Sequence, residues 1–316
     1  MTQRFDRRRF LQSAGLAGLA LAGGLSAPHI ARAAAGQIRI ASNPGLENAT
    51  LNALMAQQGF MEKFGADAVI VESQGATGPF NAIVAGEADV CMVSGYNMVL
   101  TRIEEGAPVR IVGAGMKKTA LTVFARPGAG TTLAELEGKT VAVGPNLGLL
   151  HALMLQLYKE KGLDGSKVNF VDKGSNDQAY QALVKGEADA CCTSISHLND
   201  PDGMVVIPDG NMWEALPRYT FQTAYASEEA IRDRHEGLVA VMAAYGALYD
   251  YLMSPDARDA FFAARQSAQR NFDEPSARAI WDFNQTERPY SKDLSIAEAD
   301  IDYLQDMFIG LGSLKQ

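Results

Sequence analysis

The sequence predicts an α/β fold of two similar lobes, each a mostly parallel sheet flanked by helices, followed by a helical C-terminal segment. Short apolar strand patterns alternate with helical patterns from residue 37 to about residue 217. This order is typical of parallel sheets covered by helices on both faces. A segment of the first half recurs in the second half, and from Glu228 onward the pattern is almost wholly helical.

The elements follow one another in two series. In the first series, apolar positions with helical spacing predict a helix over 48–64, and the continuous apolar run at 68–71 predicts a parallel strand buried on both faces. The other predicted strands are 37–41, 89–93, 109–114, 121–125, 140–143, 168–171 and 189–193, with an extended segment at 220–226. The other predicted helices are 79–85, 96–105, 133–136, 149–161 and 177–185, with later helix starts near Ser254, Glu274 and Ser295.

The internal repeat is the strongest sign of two lobes. Residues 80–91 recur at 180–191, and both copies contain Gly-Glu-Ala-Asp. In each copy we expect a helix to end at its glycine, Gly86 or Gly186, in the left-handed conformation. An acidic turn then leads into a buried strand that ends in hydroxyl-bearing residues. Two structurally similar lobes are the simplest account, and chance similarity of two helix–glycine–strand units is the alternative.

Residues 1–35 have the order of a secretory signal peptide. A charged stretch, Arg7-Arg8-Arg9-Phe10-Leu11, precedes an apolar region at 13–27 and a small-residue cleavage site at Ala31-Arg32-Ala33. Arg7 and Arg8, followed after one residue by Phe10 and Leu11, resemble the twin-arginine export signal. An N-terminal membrane anchor is the alternative, but the apolar run is shorter than the roughly 20 residues that a spanning helix needs. The sequence therefore predicts an exported, periplasmic protein.

Composition narrows the function classes. The chain carries 28 Lys and Arg against 37 Asp and Glu, a net charge of -9, which argues against nucleic-acid or anionic-membrane binding. The three cysteines, Cys91, Cys191 and Cys192, lie in apolar strand patterns, which predicts buried free thiols. No Cys-x-x-Cys occurs and the four histidines are scattered, so neither a metal site nor a cofactor is expected.

Turns at the carboxyl ends of strands are the candidate ligand site. In open parallel sheets ligands bind there, because helix N-termini present unpaired N–H groups. Small residues let the backbone approach a ligand, and hydroxyls and amides supply hydrogen bonds. The candidate residues of these turns are Asn43, Gly45, Ala76, Thr77, Ser94, Gly95, Asn146, Leu147, Gly148, Ser175, Asn176, Ser194 and Ser196. For any one of them, an ordinary turn or N-cap role is the alternative.

Four further residues complete the candidate set. Tyr96, Tyr219 and Phe221 are candidates for an aromatic wall, with core packing as the alternative. Lys117 follows a strand end and is a candidate for an anionic group, with a solvated lysine as the alternative. No arginine falls in the turns, which argues against a bidentate arginine clamp and favours a neutral or weakly charged ligand.

These motifs together resemble a known family. The exported N-terminus, the turn Asn43-Pro44-Gly45, the two Gly-Glu-Ala-Asp units and the segment 133–143 resemble type II periplasmic substrate-binding proteins of ABC transporters. The similar branch binds nitrate, sulfonates, taurine and the pyrimidine precursor of thiamine. The resemblance covers residue 38 to about residue 229.

The resemblance implies a fold and a function. Lobe 1 would comprise residues 36–123 and 226–316, lobe 2 residues 124–218, and a two-strand hinge would lie near 122–126 and 219–225. The lobes would close over a small molecule, such as a sulfonate, nitrate, a pyrimidine or an aromatic acid, by hinge motion. The partner would be an ABC permease in the membrane, and the protein would be a monomer without catalytic activity.

Two other functions stay open on the sequence. An exported sensory protein that reports to a receptor would have the same fold and cleft. A pyrimidine-synthase-like enzyme of the same fold is the second, since Cys191-Cys192 faintly resembles its cysteine-rich motif. The export signal and the lack of a histidine in the first-lobe turns argue against that enzyme. A hydrolase is unsupported, because the chain lacks a Gly-x-Ser-x-Gly elbow.

Overall fold

Two five-stranded sheets form the framework of the protein. The computed structural model describes residues 36–75 and 77–315, so the expected signal peptide and Ala76 lie outside the described residues. The first sheet contains β1 (Ile38–Ser42), β2 (Ala68–Glu72), β3 (Val90–Ser94), β4 (Val109–Ala114) and β10 (Thr223–Ser227). The second contains β5 (Leu121–Ala125), β6 (Thr140–Val143), β7 (Asn169–Asp172), β8 (Ala190–Ser194) and β9 (Val205–Ile207).

The two sheets have the same topology. Their strand orders are β2-β1-β3-β10-β4 and β7-β6-β8-β5-β9. In each, the first three strands run parallel, and the fourth position holds an antiparallel strand that comes from the other half of the chain. The predicted two-lobed α/β fold is confirmed, and the internal repeat marks equivalent parts of the two lobes.

Helices cover both sheets. The first half contains α1 (Leu46–Gln58), α2 (Phe60–Lys63), α3 (Gly78–Val84) and α4 (Tyr96–Glu104). The second half contains α5 (Leu149–Glu160), α6 (Asn176–Val184) and α7 (Met212–Ala215). The C-terminal segment forms α8 (Glu228–Asp233), α9 (His235–Leu252), α10 (Arg258–Ala268), α11 (Glu274–Glu287) and α12 (Glu298–Gly310). The single helix predicted over 48–64 is two helices, because Gly59 adopts a left-handed φ of 64° and ends α1.

Both copies of the repeat end their helix in the same way. Gly86 and Gly186 have φ values of 74° and 77°, as the sequence predicts. The amide of Glu87 donates to the carbonyl of Ala82 at 2.8 Å, and Glu187 makes the equivalent bond to the carbonyl of residue 182 at 2.9 Å. These bonds close a Schellman motif after α3 and after α6, which turns the chain into β3 and β8.

The prediction of a strand buried on both faces at 68–71 is wrong. β2 lies at the edge of the first sheet and pairs only with β1 among the described strands. Val69 and Ile70 are 41% and 37% exposed. An apolar run therefore marks a strand here without marking a central position in the sheet.

The C-terminal helix α12 contacts both lobes. The Tyr303 hydroxyl accepts a hydrogen bond from Gln156 Nε2 and donates to Glu160 Oε1, each at 3.1 Å, and both partners lie on α5. In the first lobe, the amide of Lys315, five residues after the end of α12, donates to Glu104 Oε1 of α4 at 2.8 Å. The helix therefore packs between the two lobes, and one apolar core extends through it from the first sheet to the second.

The three cysteines are buried and free, as predicted. Within the part of the chain that the structure describes, no single helix has both the length and the apolar composition to cross a membrane. The segments His235–Leu252 and Pro255–Ala268 meet these criteria only as a pair, with a bend of 94° between them.

Candidate ligand-binding site

The carboxyl ends of the parallel strands meet at one edge of each sheet, and the two edges face each other. Two stretches of chain connect the sheets: residues 115–120, and the chain between β9 and β10. Thr223 pairs with Ser94 and with Ala114. Residues 115–120 therefore leave the first sheet, and the chain from β9 enters it, at its carboxyl edge. Leu121 pairs with Ser194, so residues 115–120 reach the carboxyl edge of the second sheet. Residues 115–120 join the two edges and span at most about 20 Å.

The predicted residues of the first lobe lie at its carboxyl edge. Gly45 and Gly95 are the N-cap residues of α1 and α4, and no side chain of the described residues caps either helix. Asn43 Oδ1 accepts hydrogen bonds from the Gly45 amide and from Asn48 Nδ2, each at 2.9 Å. Thr77 precedes α3 and is exposed. The backbone N–H groups at the start of α1 and α4 are therefore available at this edge.

The predicted residues of the second lobe lie at the facing edge. Gly148 is the N-cap of α5, and Leu147 has a left-handed φ of 57° with its amide donating to His151 Nδ1 at 3.0 Å. Asn146 is exposed beside them. A left-handed leucine is uncommon, and such strain is concentrated at functional sites.

Several of the predicted polar groups already have a local structural role. Ser175 and Gln178 form a capping box at the start of α6. The carbonyl of Asn176 accepts a hydrogen bond from Thr193 Oγ1 at 2.9 Å. Ser194 Oγ accepts from the amide of Ser196 at 3.2 Å. These bonds support the N-cap and turn alternative for the three serines.

The aromatic candidates differ in their surroundings. Tyr96 and Tyr219 are fully buried in the core that α12 completes, which favours core packing over an open wall. Phe221 is half-buried and packs against the cores on both sides. Lys117 is half-buried, and its amide donates to the carbonyl of Pro289 at 2.6 Å.

A polar cluster at residues 115–120 was not predicted from the sequence. Gln222 Nε2 donates to Glu47 Oε1 at 2.8 Å, and Gln222 Oε1 accepts from the amide of Met116 at 3.2 Å. Tyr290 bridges to Met116 and stacks on Tyr249, with ring centroids 4.8 Å apart and planes 14° apart. The cluster thus fixes Glu47, the second residue of α1, at the carboxyl edge.

Arg265 of α10 belongs to the same region. It is only 6% exposed, and its buried Nε has no hydrogen-bond partner. Burial lowers the pKa of its guanidinium, opposed by the charges of Glu47, Tyr290, Asp273 and Asp177. Conversely, burial raises the pKa of Glu47, opposed by the hydrogen bond from Gln222 and by Arg265. Asp177 is the second residue of α6 in the second lobe, so the charges that act on Arg265 come from both lobes.

One signal in the sequence pointed to Arg265. It shares a helical face with Phe261 and Ala264, both of which are buried. An arginine on the apolar face of a helix is an exception to the rule that arginine is exposed unless it is paired. Among the described residues no group of three or more His, Cys, Asp or Glu side chains is placed to hold a metal ion.

Comparisons with solved structures establish the fold. The alkanesulfonate-binding protein SsuA from Xanthomonas axonopodis pv. citri, bound to MOPS, is 17% identical with a TM-score of 0.71, over 90% of this chain and 96% of that one. The periplasmic aliphatic sulphonate binding protein SsuA from Escherichia coli is 18% identical with a TM-score of 0.70, over 87% of each chain. The periplasmic nitrate-binding protein NrtA from Synechocystis PCC 6803 is 12% identical with a TM-score of 0.63, over 89% and 82%.

The comparison with family models identifies the family. No curated protein matches the chain. The model described as NMT1/THI5 like matches residues 49–257, which is more than half of the chain and includes both copies of the repeat. The chain therefore belongs to the NMT1/THI5-like family.

Proposed function

We propose that this protein is an exported solute-binding protein that holds a small molecule between its two lobes and delivers it to an ABC permease. The observation that carries the proposal is the pair of facing carboxyl edges, joined by residues 115–120 and by the chain between β9 and β10. Each edge presents helix N-termini, which are suited to polar and anionic groups. Family membership and the fold shared with solute-binding proteins support it.

The proposed ligand contacts come from both edges. In the first lobe they are the backbone and side chains around Gly45, Thr77 and Ser94. In the second they are the turn before α5 and the start of α6, which contain Asn146 and Asn176. Phe221 would form part of the floor between them. Closure of one lobe onto the other would shield the ligand from water.

Three further features belong to the proposal. The N-terminal 35 residues act as a twin-arginine signal peptide, and the mature protein works as a periplasmic monomer. Lobe 1 consists of residues 36–123 and 226–316, and lobe 2 of residues 124–218. Within this division, α12 belongs to lobe 1 and its bonds to α5 cross the boundary.

Trp213 offers a direct test of closure. Trp213 lies on α7, which follows the last strand of the second sheet. Its ring lies edge-on to Phe283 of α11, with centroids 5.4 Å apart, so it connects this part of the chain to the C-terminal helices. The chain has two tryptophans, so Trp281→Phe leaves Trp213 as the single reporter. A panel of sulfonates, nitrate, pyrimidines, aromatic acids and amino acids is added while fluorescence and melting temperature are recorded. A true ligand should change the fluorescence and raise the melting temperature.

Matched variants connect that binding to the facing edges. Gly45→Asp and Asn146→Asp introduce a negative charge at opposite edges and should weaken binding of the solute found in the panel. Glu62→Gln, at an exposed position of α2, serves as the control. Unchanged affinity in both edge variants would place the site elsewhere. Consumption of the solute by the purified protein would indicate an enzyme.

A further inference from the structure

Arg265 carries a buried positive charge without a counter-ion among the described residues. Its side chain makes no ion pair within 4.0 Å and no hydrogen bond to the part of the chain that the structure describes, and Nε is fully enclosed. A buried charge is ordinarily paired and hydrogen-bonded, because leaving it unpaired in a low-dielectric interior is strongly unfavourable. The guanidinium therefore calls for a directly bonded partner, which the described residues do not supply.

Charged groups at the carboxyl edges of both sheets, Glu47 and Asp177, act on Arg265. Helix α10 packs along α1, which begins at the carboxyl edge of the first sheet. Asp177, which follows the carboxyl end of β7, is close enough for its charge to act on Arg265. Helix α11 packs on the 3-10 turn Ile195–His197 that follows β8. The partner that Arg265 lacks would accordingly be bound between the lobes.

Glu47 supplies a fixed acceptor near the guanidinium. Its carboxylate is held by Gln222, which is itself held by the amide of Met116. Glu47 and Arg265 attract each other, yet they form no ion pair within 4.0 Å. An acceptor and a donor that act on each other without a direct bond are suited to a molecule that carries both kinds of group.

We infer that the ligand is a small organic acid that also carries a hydrogen-bond donor, with its acid group on Arg265 and its donor, an ammonium or a hydroxyl, on Glu47. This inference rests on the proposed function and specifies the ligand of that site. A guanidinium binds a carboxylate or a sulfonate through paired N–H donors, which gives both affinity and orientation. The absence of arginine from the strand-end turns favoured a neutral ligand, but the C-terminal helices supply the arginine instead.

The test compares small probes of matched shape and different charge. Acetate and propionate are the simple acids; glycine, β-alanine and 4-aminobutyrate add an ammonium at increasing distance; acetamide and propylamine are the neutral and cationic controls. Dissociation constants are measured for the wild type and for Arg265→Gln, Glu47→Gln and Arg258→Gln. Arg258 lies on the same helix but is 52% exposed and serves as the control variant.

The expected result has two parts. Arg265→Gln should weaken binding of every acid by about tenfold or more, whereas Arg258→Gln should not, because only Arg265 is desolvated. One amino acid of the series should bind more tightly than the simple acids, and Glu47→Gln should remove that gain without weakening the binding of acetate. If acetamide or propylamine bound the wild type and Arg265→Gln equally, the inference would be overturned while the proposed function stood. If no member of the panel or of the wider solute screen bound, the proposed function would fail as well.

A measurement without ligand is also decisive. Arg265→Met, made in the Glu47→Gln background so that no buried carboxylate loses its attraction to Arg265, replaces an uncompensated buried charge with an unbranched apolar side chain, which relieves the cost of burying that charge. The urea midpoint of the ligand-free double variant should therefore be higher than that of Glu47→Gln alone. A lower midpoint would mean that the guanidinium is bonded within the protein, and the inference would be overturned.

Discussion

Asp89 and Asp189 make the same pair of hydrogen bonds in the two lobes. Asp89 Oδ2 accepts from the amide of Arg39 at 2.8 Å, and Asp189 Oδ2 accepts from the amide of Thr140 at 2.9 Å. Each aspartate amide returns a bond of 2.8 Å to the carbonyl of the same partner. The final aspartate of each Gly-Glu-Ala-Asp unit thus fixes the start of a neighbouring strand, β1 or β6.

The two aspartates differ in their charged neighbours, which predicts a difference in stability. Asp89 also pairs with the guanidinium groups of Arg39 and Arg234, each at 2.7 Å, and its own side chain is only 4% exposed. Asp89→Asn should therefore lower the free energy of unfolding by about 2 kcal/mol, because charge-assisted hydrogen bonds are lost. Asp189→Asn keeps an acceptor for the Thr140 amide and should cost under about 1 kcal/mol. Urea unfolding of both variants measures the difference, and equal losses would contradict it.

The same ion pairs predict a dependence on pH. Burial alone would raise the pKa of Asp89, but the hydrogen bonds from Arg39 and the charges of Arg39 and Arg234 outweigh it and lower the pKa from 3.8. A carboxyl with a lower pKa in the folded state stabilises the protein above its unfolded pKa, and this contribution is lost as the pH falls through the folded pKa. The stability difference between wild type and Asp89→Asn should therefore be constant near neutral pH and shrink below about pH 4. Urea midpoints over this range test it, and a difference that grew on acidification would have the wrong sign.

The fold could be predicted because its signals are local. The alternation of apolar strands and helices and the repeat around Gly86 and Gly186 record short-range packing and turn chemistry. The strand β9 was missed because it is three residues long, too short for any periodicity. Helix α12 begins at Glu298 instead of near Ser295, because the Ser295 amide and hydroxyl bond to Asp293 in a turn that precedes the helix.

The site was predictable only in part. The strand-end turns follow from the general geometry of parallel sheets, so Gly45 and Gly148 lie at the edges as expected. Arg265 lies more than 200 residues after Glu47 in the sequence, and only the packing of α10 along α1 brings them near each other. Periodicity identifies such a residue as buried, but it does not identify which charge faces it.

The contact of α12 with α5 predicts an effect of Tyr303 on local stability. Tyr303→Phe keeps the ring and removes the hydroxyl that bonds to Gln156 and Glu160. The loss in global stability should be under about 1 kcal/mol, because the hydroxyl is at the surface. Amide hydrogen exchange in 298–315 should nevertheless be faster, since this contact links the helix to the second lobe. Asp306→Asn, at an exposed position of α12, is the control, and similar exchange in both variants would show that the hydroxyl does not hold the helix.

Burial predicts that the three thiols are unreactive in the folded protein. Burial raises the pKa of Cys91 to about 11, and it also raises the pKa values of Cys191 and Cys192. Because the thiolate is the reactive form, an aromatic disulfide reagent at neutral pH should modify none of them before unfolding and all three in denaturant. The thiols of the native protein should therefore react only at the rate at which the protein unfolds. Asp89→Asn destabilises the first sheet, whereas Cys192 lies in the second, and the variant should accelerate the modification of Cys192 by accelerating unfolding. A thiol that reacts at once in the native wild type would contradict the buried placement, and a count below three in denaturant without reductant would indicate a disulfide.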